Sequence, residues 1–179
     1  MNLRQKYQKQ VVKSLQESLG IKNVHAVPRV EKAVLNIGLS KSLSDRAFVD
    51  IAVNTLQRIS GQKPVLTKAK KSISNFKIRE GMVVGAMVTL RGQKMYDFLE
   101  KMVNITFPRI RDFHGLDPQK GFDGHGNWAI GFREHIVFPE IKSDEIEKLH
   151  GLEVAVRTTA RNNEQSLALL RVLGFPFKK

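Results

Sequence analysis

The side chains best equipped to move protons or hold a metal in this sequence are His114, His125, His135 and His150 and the acidic group Asp144, Glu145 and Glu147. Metal sites place their ligands at short, recurring spacings. These histidines follow none, and no HExxH or cysteine pair accompanies them. They read as a scatter over loops and strand faces. The three acids fall at the start of a short helical pattern, Ser143 to Leu149, where carboxylates stabilise the helix dipole without a catalytic reason. The segment GFDGHGN is rich in glycine, but it does not join a strand to a helix and lacks GxxxxGK[ST]; GxSxG is absent as well. It is expected to be a flexible loop tip. The chain has no cysteine, so disulfides, thiolate metal sites and cysteine nucleophiles are excluded. No active site, metal or cofactor is expected, and the chain reads as a non-enzyme.

A second group of residues suggests binding rather than chemistry. Lys63, Lys68, Lys70, Lys71, Lys77 and Arg79 lie in one extended stretch with no acid until Glu80. Ser72, Ser74 and Asn75 are interleaved with them, and short hydrogen-bonding side chains suit phosphate and ribose oxygens. Ile73, Phe76 and Ile78 stand where a loop would otherwise be polar, and an exposed aromatic can stack on a base or ribose. The whole chain has the same bias: 30 Lys and Arg against 17 Asp and Glu, a net charge of +13 and a pI near 10.2. Self-repulsion of that size opposes compaction, which makes an anionic partner the natural reading, nucleic acid first and a membrane surface second. A solvated charged face is the bland alternative. The start MNLRQKYQKQ could be a signal-peptide n-region, but Lys13 and Glu17 interrupt the residues after it, and no stretch reaches transmembrane length. A cytoplasmic protein without a membrane partner is expected.

These residues need a scaffold, and 179 residues with 41% hydrophobic composition suffice to bury roughly 70% of the unfolded surface in one domain. Tyr7, Val11, Val12, Leu15 and Leu19 have helical spacing, closed by Gly20. After Pro28, Ala33, Leu35, Ile37 and Leu39 alternate with Lys32, Val34 and Asn36, as in a half-buried strand. Ser42 and Asp45 have capping spacing before a helix with Phe48, Ile51, Ala52, Leu56 and Ile59, ended by Gly61. KPVLTKAKK is extended. A strand with Val84, Ala86, Val88 and Leu90 inward turns Gly85, Met87, Thr89 and Arg91 outward. KKSISNFKIREGM between them is too cationic to bury and is expected to project as a hairpin over 70–82. A helix from about Gln93 to Phe107 carries Tyr96, Leu99, Met102 and Val103, and Pro108 stops it. Residues 108–127 show no periodicity and read as a long exposed loop. Two strands come next, one with Trp128, Ile130 and Phe132 and one with Leu152, Val154 and Val156. Asn162 and Gln165 then cap a last helix with Leu167, Leu170 and Leu173. The sum is an α+β domain: a mainly antiparallel open sheet, helices on one face, and two long projecting loops. An open sheet that binds RNA invites comparison with the RNA-recognition module, but EGMVVGAMVTLRG offers none of the aromatics that module stacks on bases. This sheet would read RNA through hydrogen bonds and charge.

Leu56, Ile59, Ser60, Gly61, Gln62, Val65, Thr67, Ala69, Lys70 and Ser72, within LQRISGQKPVLTKAKKS, resemble the signature of the bacterial large-subunit ribosomal protein five family. VPRVEKAVLNIG, SISNFKIREGM, VTLRG, PRIRDFHGL, FDGHGN, FPEI and GFPFKK extend the likeness over nearly the whole chain. The resemblance implies a structural protein that holds 5S rRNA in the central protuberance, beside large-subunit rRNA and the other 5S rRNA-binding ribosomal proteins. It implies that Asn36, Gln62 and Thr89 face 5S rRNA, with Lys63, Thr67, Lys68 and Arg91 beside them. It implies that the hairpin bearing Lys70, Lys71, Ser72, Ser74, Asn75, Phe76, Lys77 and Arg79 reaches the peptidyl-site tRNA. It implies that the loop bearing Arg109, Arg111, Asp112, His114 and His125 faces small-subunit ribosomal protein thirteen across a subunit bridge. His114 and His125 stand where arginine is expected in many relatives, and Trp128 where tyrosine is. Two rival readings remain. An RNA-modifying enzyme with a basic docking surface would need a cofactor loop or catalytic acid, and a membrane-surface protein would need Trp and Phe opposite a Lys-rich helix face.

Overall fold

The computed structural model of the chain describes residues 2–39, 47–141 and 149–178. Five strands, β1 (Val30–Gly38), β2 (Val65–Lys68), β3 (Val83–Leu90), β4 (Trp128–Phe132) and β5 (Leu152–Thr158), form one antiparallel sheet in the order β2-β3-β1-β5-β4. The α-helices are α1 (Leu3–Lys6), α2 (Val12–Leu19), α3 (Ala47–Ser60), α4 (Gly92–Lys101) and α5 (Asn163–Leu173). The expected α+β class with an open antiparallel sheet is what the chain adopts. The Ser42 and Asp45 pair, the acids Asp144, Glu145 and Glu147 and nearly all of the short helix expected at 143–149 lie outside the described residues.

The strands follow the period-two pattern of the sequence. Ala33, Leu35, Ile37 and Leu39 are buried and Lys32, Val34 and Asn36 half-exposed; Ala86, Val88 and Leu90 are buried, as are Leu152, Val154 and Val156. Each such Val, Leu or Ile side chain, once fully buried, contributes about 1.5–3 kcal/mol. The pattern weakens at Ile130 and Val84, which are only half-buried. The chain divides into two compact units. One comprises Met1–Ala33, Leu90–Ile130 and Ala155–Lys179, the other Val34–Thr89 and Gly131–Val154, so that β1, β3, β4 and β5 each contribute residues to both.

In the first unit Asn2 caps α1 by accepting from Gln5 N–H at 3.0 Å, and a π-turn, Tyr7–Val11, joins α1 to α2. The Tyr7 hydroxyl donates to Pro28 O at 3.0 Å, and burial pushes its pKa up to about 12, so it stays a donor. The helix expected to reach Phe107 is α-helical to Lys101 and then continues as a π-turn, Met102–Thr106, and a 3-10 turn, Phe107–Arg109. Val103 is only half-buried as a result of where this change of pitch leaves it. At α5, Asn162 accepts from Gln165 N–H at 3.0 Å, while Gln165 Oε1 accepts from Arg161 N–H at 3.0 Å, so the expected capping pair forms with its return bond one residue early. Its buried stripe is Ser166, Leu169, Leu170 and Leu173 rather than the expected Leu167, Leu170 and Leu173. The i, i+3, i+4, i+7 face centres on Leu169 and Leu170 and leaves Leu167 half-buried on its flank.

In the second unit α3 buries Phe48, Ala52, Leu56 and Ile59 as its spacing predicted, and Thr55 as well. Thr55 meets one of two stacked histidines. His135 and His150 are 3% and 6% exposed, and their rings stack at 4.0 Å and 9°. His150 Nε2 lies 3.3 Å from Thr55 Oγ1, and Phe48 stands edge-on to the His150 ring at 5.8 Å. The expected scatter of histidines is therefore corrected for this pair. They are fifteen residues apart, and no local spacing reveals the pairing. Burial holds the His135 pKa below its ordinary value. Among the described residues no group of three or more His, Cys, Asp or Glu side chains could hold a metal.

Candidate nucleic-acid interface

The open face of the second unit collects most of the polar residues singled out in the sequence. β2 pairs with β3 in the register Val65↔Met87, Leu66↔Ala86 and Thr67↔Gly85, which places Thr67 on the face that carries Gly85, Met87 and Thr89. Asn36 in β1 lies on the same face. A Cβ built on Gly85 would stand 2.6 Å from Thr67 Oγ1, 3.3 Å from Ile37 O and 3.8 Å from Asn36 Oδ1, so these side chains lean over a strand position that only glycine leaves clear. On its other side the Asn36 amide donates to Glu153 Oε2 at 3.4 Å. Gln62 Nε2 reaches Thr89 O at 3.5 Å. Gln62 is aimed there because Ser60 Oγ, donating to Leu56 O at 2.6 Å, also accepts the Gln62 N–H at 3.2 Å just past the end of α3. Lys63 and Lys68 are exposed beside these groups, and Gln62 and Lys63 border a shallow depression of about 490 Å³ alongside Asp50, Asn54 and Gln57. Arg91 belongs to the first unit, where it is exposed at the N-cap position of α4.

The basic segment forms the expected hairpin. Ala69 N–H donates to Met82 O at 2.8 Å, Ala69 O accepts from Gly81 N–H at 3.0 Å, and Ile73 and Ile78 exchange bonds of 2.8 and 3.1 Å. A 3-10 turn, Ser74–Phe76, and a left-handed Lys77 (φ 54°) close the tip, while Ser72 Oγ accepts from Glu80 N–H at 3.0 Å. Lys70, Lys71, Ser72, Ser74, Asn75, Lys77 and Arg79 are all exposed, and Phe76 is 67% exposed at the tip. An aromatic ring is thus held out among cations, a geometry that permits stacking on a base or ribose.

In the first unit the loop 108–127 exposes Arg109, Arg111, Asp112, His114 and His125, yet its backbone is fixed. Leu116 N–H donates to Pro176 O at 2.7 Å and Leu116 O accepts from Lys178 N–H at 2.8 Å, so residues 175–178 run beside the loop as a parallel strap. Gly115 allows that approach, because a Cβ there would stand 3.1 Å from Pro176 O. Phe177 stacks on Phe122 at 6.1 Å, and Trp128 meets Phe175 and Phe177 edge-on at 5.4 and 6.1 Å. GFDGHGN, expected as a flexible tip, carries a set of side-chain-to-backbone bonds. Asp123 accepts from the Asn127 amide at 2.6 Å and from His125 and Asn127 N–H at 2.8 and 3.0 Å. Asn163 Oδ1 accepts from Gly124 and Gly126 N–H at 3.1 and 3.3 Å. The Asn127 amide, then the backbone N–H groups, hold the exposed Asp123 carboxyl below its ordinary pKa. Glycine composition gave no sign of these bonds, which come from Asp123 and the distant Asn163.

Residues 23–79 match the sequence model for ribosomal protein L5, and residues 83–177 match the model for the C-terminus of the same family. The chain belongs to the ribosomal protein L5 family. It is 51% identical to the large ribosomal subunit protein uL5 of Halothermothrix orenii, over 99% of this chain and 98% of that one. It is 51% identical to the uL5 protein of Chloroflexus aurantiacus over 99% and 98%, and 51% identical to that of Colwellia psychrerythraea over 97% and 95%. L5 family membership makes the chain a protein of the large ribosomal subunit, in a family of structural proteins and not of enzymes, so the reading as a modifying enzyme is set aside. Among the described residues no helix is long and apolar enough to cross a membrane. Sequence reasoning missed Gly85 and Glu153 on the open face and Phe175 to Lys178 as the support of the loop. Alternation in β3 and β5 placed the first two outward, which was the available signal. Nothing local announced the third.

Proposed function

We propose that this L5 family protein binds 5S rRNA through the open sheet face of its second unit and helps attach it in the central protuberance of the cytoplasmic ribosome. Asn36, Gln62, Thr67 and Thr89 supply hydrogen-bonding groups, and Lys63 and Lys68 supply positive charge to phosphates; Arg91, in the first unit, is a further rRNA contact by itself. The hairpin from Lys70 to Arg79 contacts peptidyl-site tRNA. The loop with Arg109, Arg111, Asp112, His114 and His125 faces small-subunit ribosomal protein thirteen, and large-subunit rRNA and the other 5S rRNA-binding proteins complete the surroundings. The observation that carries this reading is a set of held polar side chains on one sheet face, with exposed lysines next to two of them in the chain. Asn36 is held by Glu153 and Gln62 by Ser60 and the Thr89 carbonyl, with Lys63 and Lys68 exposed alongside. Charge drives association through counterion release, and pre-set donors and acceptors fix the register. A gel shift comparing 5S rRNA with unrelated structured RNA of equal length tests it. Preferential retention of 5S rRNA is expected, and equal retention of both would overturn the reading.

A further inference from the structure

The segment GFDGHGN of the first unit holds the one Asp–Gly pair of the sequence, Asp123–Gly124. Such a pair can rearrange with no reagent but water. The Gly124 nitrogen attacks Asp123 Cγ, and glycine has no side chain to obstruct the approach. A nitrogen–carbon bond forms, the carbon–oxygen bond of the protonated carboxyl breaks, and its hydroxyl leaves with the nitrogen's proton as water. Water then opens the succinimide at either carbonyl. One opening returns aspartate; the other gives isoaspartate, whose main chain runs through the former side chain. The structure prepares one partner of this reaction and withholds the other. Asp123 Oδ1 accepts from His125 and Asn127 N–H at 2.8 and 3.0 Å, and Oδ2 from the Asn127 amide at 2.6 Å. Donors so placed stabilise the charge that a carboxyl gains under attack. The nucleophile is engaged elsewhere: Gly124 N–H donates to Asn163 Oδ1 at 3.1 Å, and Gly126 N–H donates to the same oxygen at 3.3 Å. Asn163 opens α5 beside its cap Asn162, so the helix sets its position. A Cβ built on the exposed Gly124 meets nothing within 4 Å, which leaves the pair open to water.

We propose that Asp123–Gly124 is a latent site of spontaneous isoaspartate formation, and that Asn163 restrains it by holding the Gly124 N–H. An amide that donates to Asn163 keeps its proton and its orientation, and it must lose both to attack Cγ. A second restraint is the charge of Asp123. The Asn127 amide, then the backbone N–H groups, keep its carboxyl ionised below the ordinary pKa, and an ionised carboxyl has no hydroxyl to lose. Should the restraint fail, the carboxyl that accepts from His125 and Asn127 becomes part of the main chain and the backbone gains a methylene. The bonds that shape 121–127 cannot all survive that exchange. Damage would therefore be concentrated in this loop, and it owes nothing to the RNA-binding reading.

The full chain is incubated in mildly acidic buffer, and isoaspartate at residue 123 is counted by peptide mapping and by an isoaspartyl methyltransferase used as probe. The folded wild type should accumulate it more slowly than the same chain in guanidinium chloride. Asn163→Ala should accumulate it about tenfold faster than the folded wild type, the scale of the two hydrogen bonds removed. Asn163→Asp keeps an acceptor for both glycine N–H groups and should stay near the wild type. The bonds to the Asp123 carboxyl do not involve Asn163, so the alanine variant should retain the wild-type pH dependence of the rate. A loop that had merely come loose would instead take on the pH dependence of the unfolded chain. Amide hydrogen exchange at Gly124 of the wild type should be slow. A folded wild type as fast as the unfolded chain, or rapid exchange at Gly124, overturns the proposal. So does an alanine variant no faster than the wild type, one with the pH dependence of the unfolded chain, or an aspartate variant as fast as the alanine one. If Asn163→Ala does not fold, the two wild-type measurements and Asn163→Asp decide the matter.

Discussion

Asn36 and Gln62 do the same work by different means, since each is an amide whose free end is pointed by a partner within its own unit. Asn36→Ala or Gln62→Ala is expected to weaken 5S rRNA binding by about 1–3 kcal/mol, the range for one specific base contact, with little change for unrelated RNA in the same titration. A different residue adds a pH dependence to the stability of the fold. Burial lowers the His135 pKa, so the folded protein takes up a proton there less readily than the unfolded chain. The stability this contributes is complete above the ordinary value of 6.5 and is lost progressively as pH falls from there toward the folded-state value. Urea midpoints measured from pH 8 down to pH 5 should decline over that interval, and a His135→Leu variant should lose that part of the slope. An equal slope in the variant would show that His135 is not its source.

At the level of elements, the hairpin and the strapped loop answer to different forces. The hairpin closes through its own backbone bonds from Ala69 to Met82, so removing Lys70 to Arg79 is expected to leave 5S rRNA binding intact and to impair tRNA contact in assembled ribosomes. Loss of 5S rRNA binding in that deletion would mean the two surfaces are not separate. The loop depends on residues far along the chain. Phe177→Ala should free residues 109–127 to proteolysis and shift the emission of Trp128, the only tryptophan, to the red, with α3 and its surroundings unaffected. This contrast marks the limit of what the residues alone disclosed. β1, β3 and β5 were legible because alternation is local and each has one buried face. The hairpin was legible because the four cations Lys70, Lys71, Lys77 and Arg79 within it are too many to bury. The fixed loop, the histidine stack and the side chains gathered over Gly85 were not legible, since each is assembled from residues whose separation in sequence carries no period. Leu167 illustrates a finer limit: the 3.6-residue repeat predicts a stripe, and packing decides which edge of it is covered.

For the molecule as a whole, a net charge of +13 means that affinity and discrimination should respond differently to salt. Binding of any RNA is expected to fall steeply as salt rises, by about 10³–10⁵ between 50 and 200 mM if six to ten phosphates are contacted, while the preference for 5S rRNA persists. A preference that vanished along with the affinity would place recognition in the charge alone. The reading of residues 1–179 as one domain is likewise a proposal. With four strands each contributing to both compact units, a single calorimetric transition is expected, and two separate transitions would contradict it. The strap has a consequence for timing. A ribosome synthesising this chain finishes every strand by Thr158 and makes Pro176 to Lys178 only afterwards. A nascent chain that stops between Arg161 and Leu173 would carry the proposed RNA face without the piece that sets Leu116 in place. Such a fragment would hold all five strands and still lack both backbone bonds that Pro176 and Lys178 give to Leu116, so the setting of the loop is separated in time from the forming of the sheet.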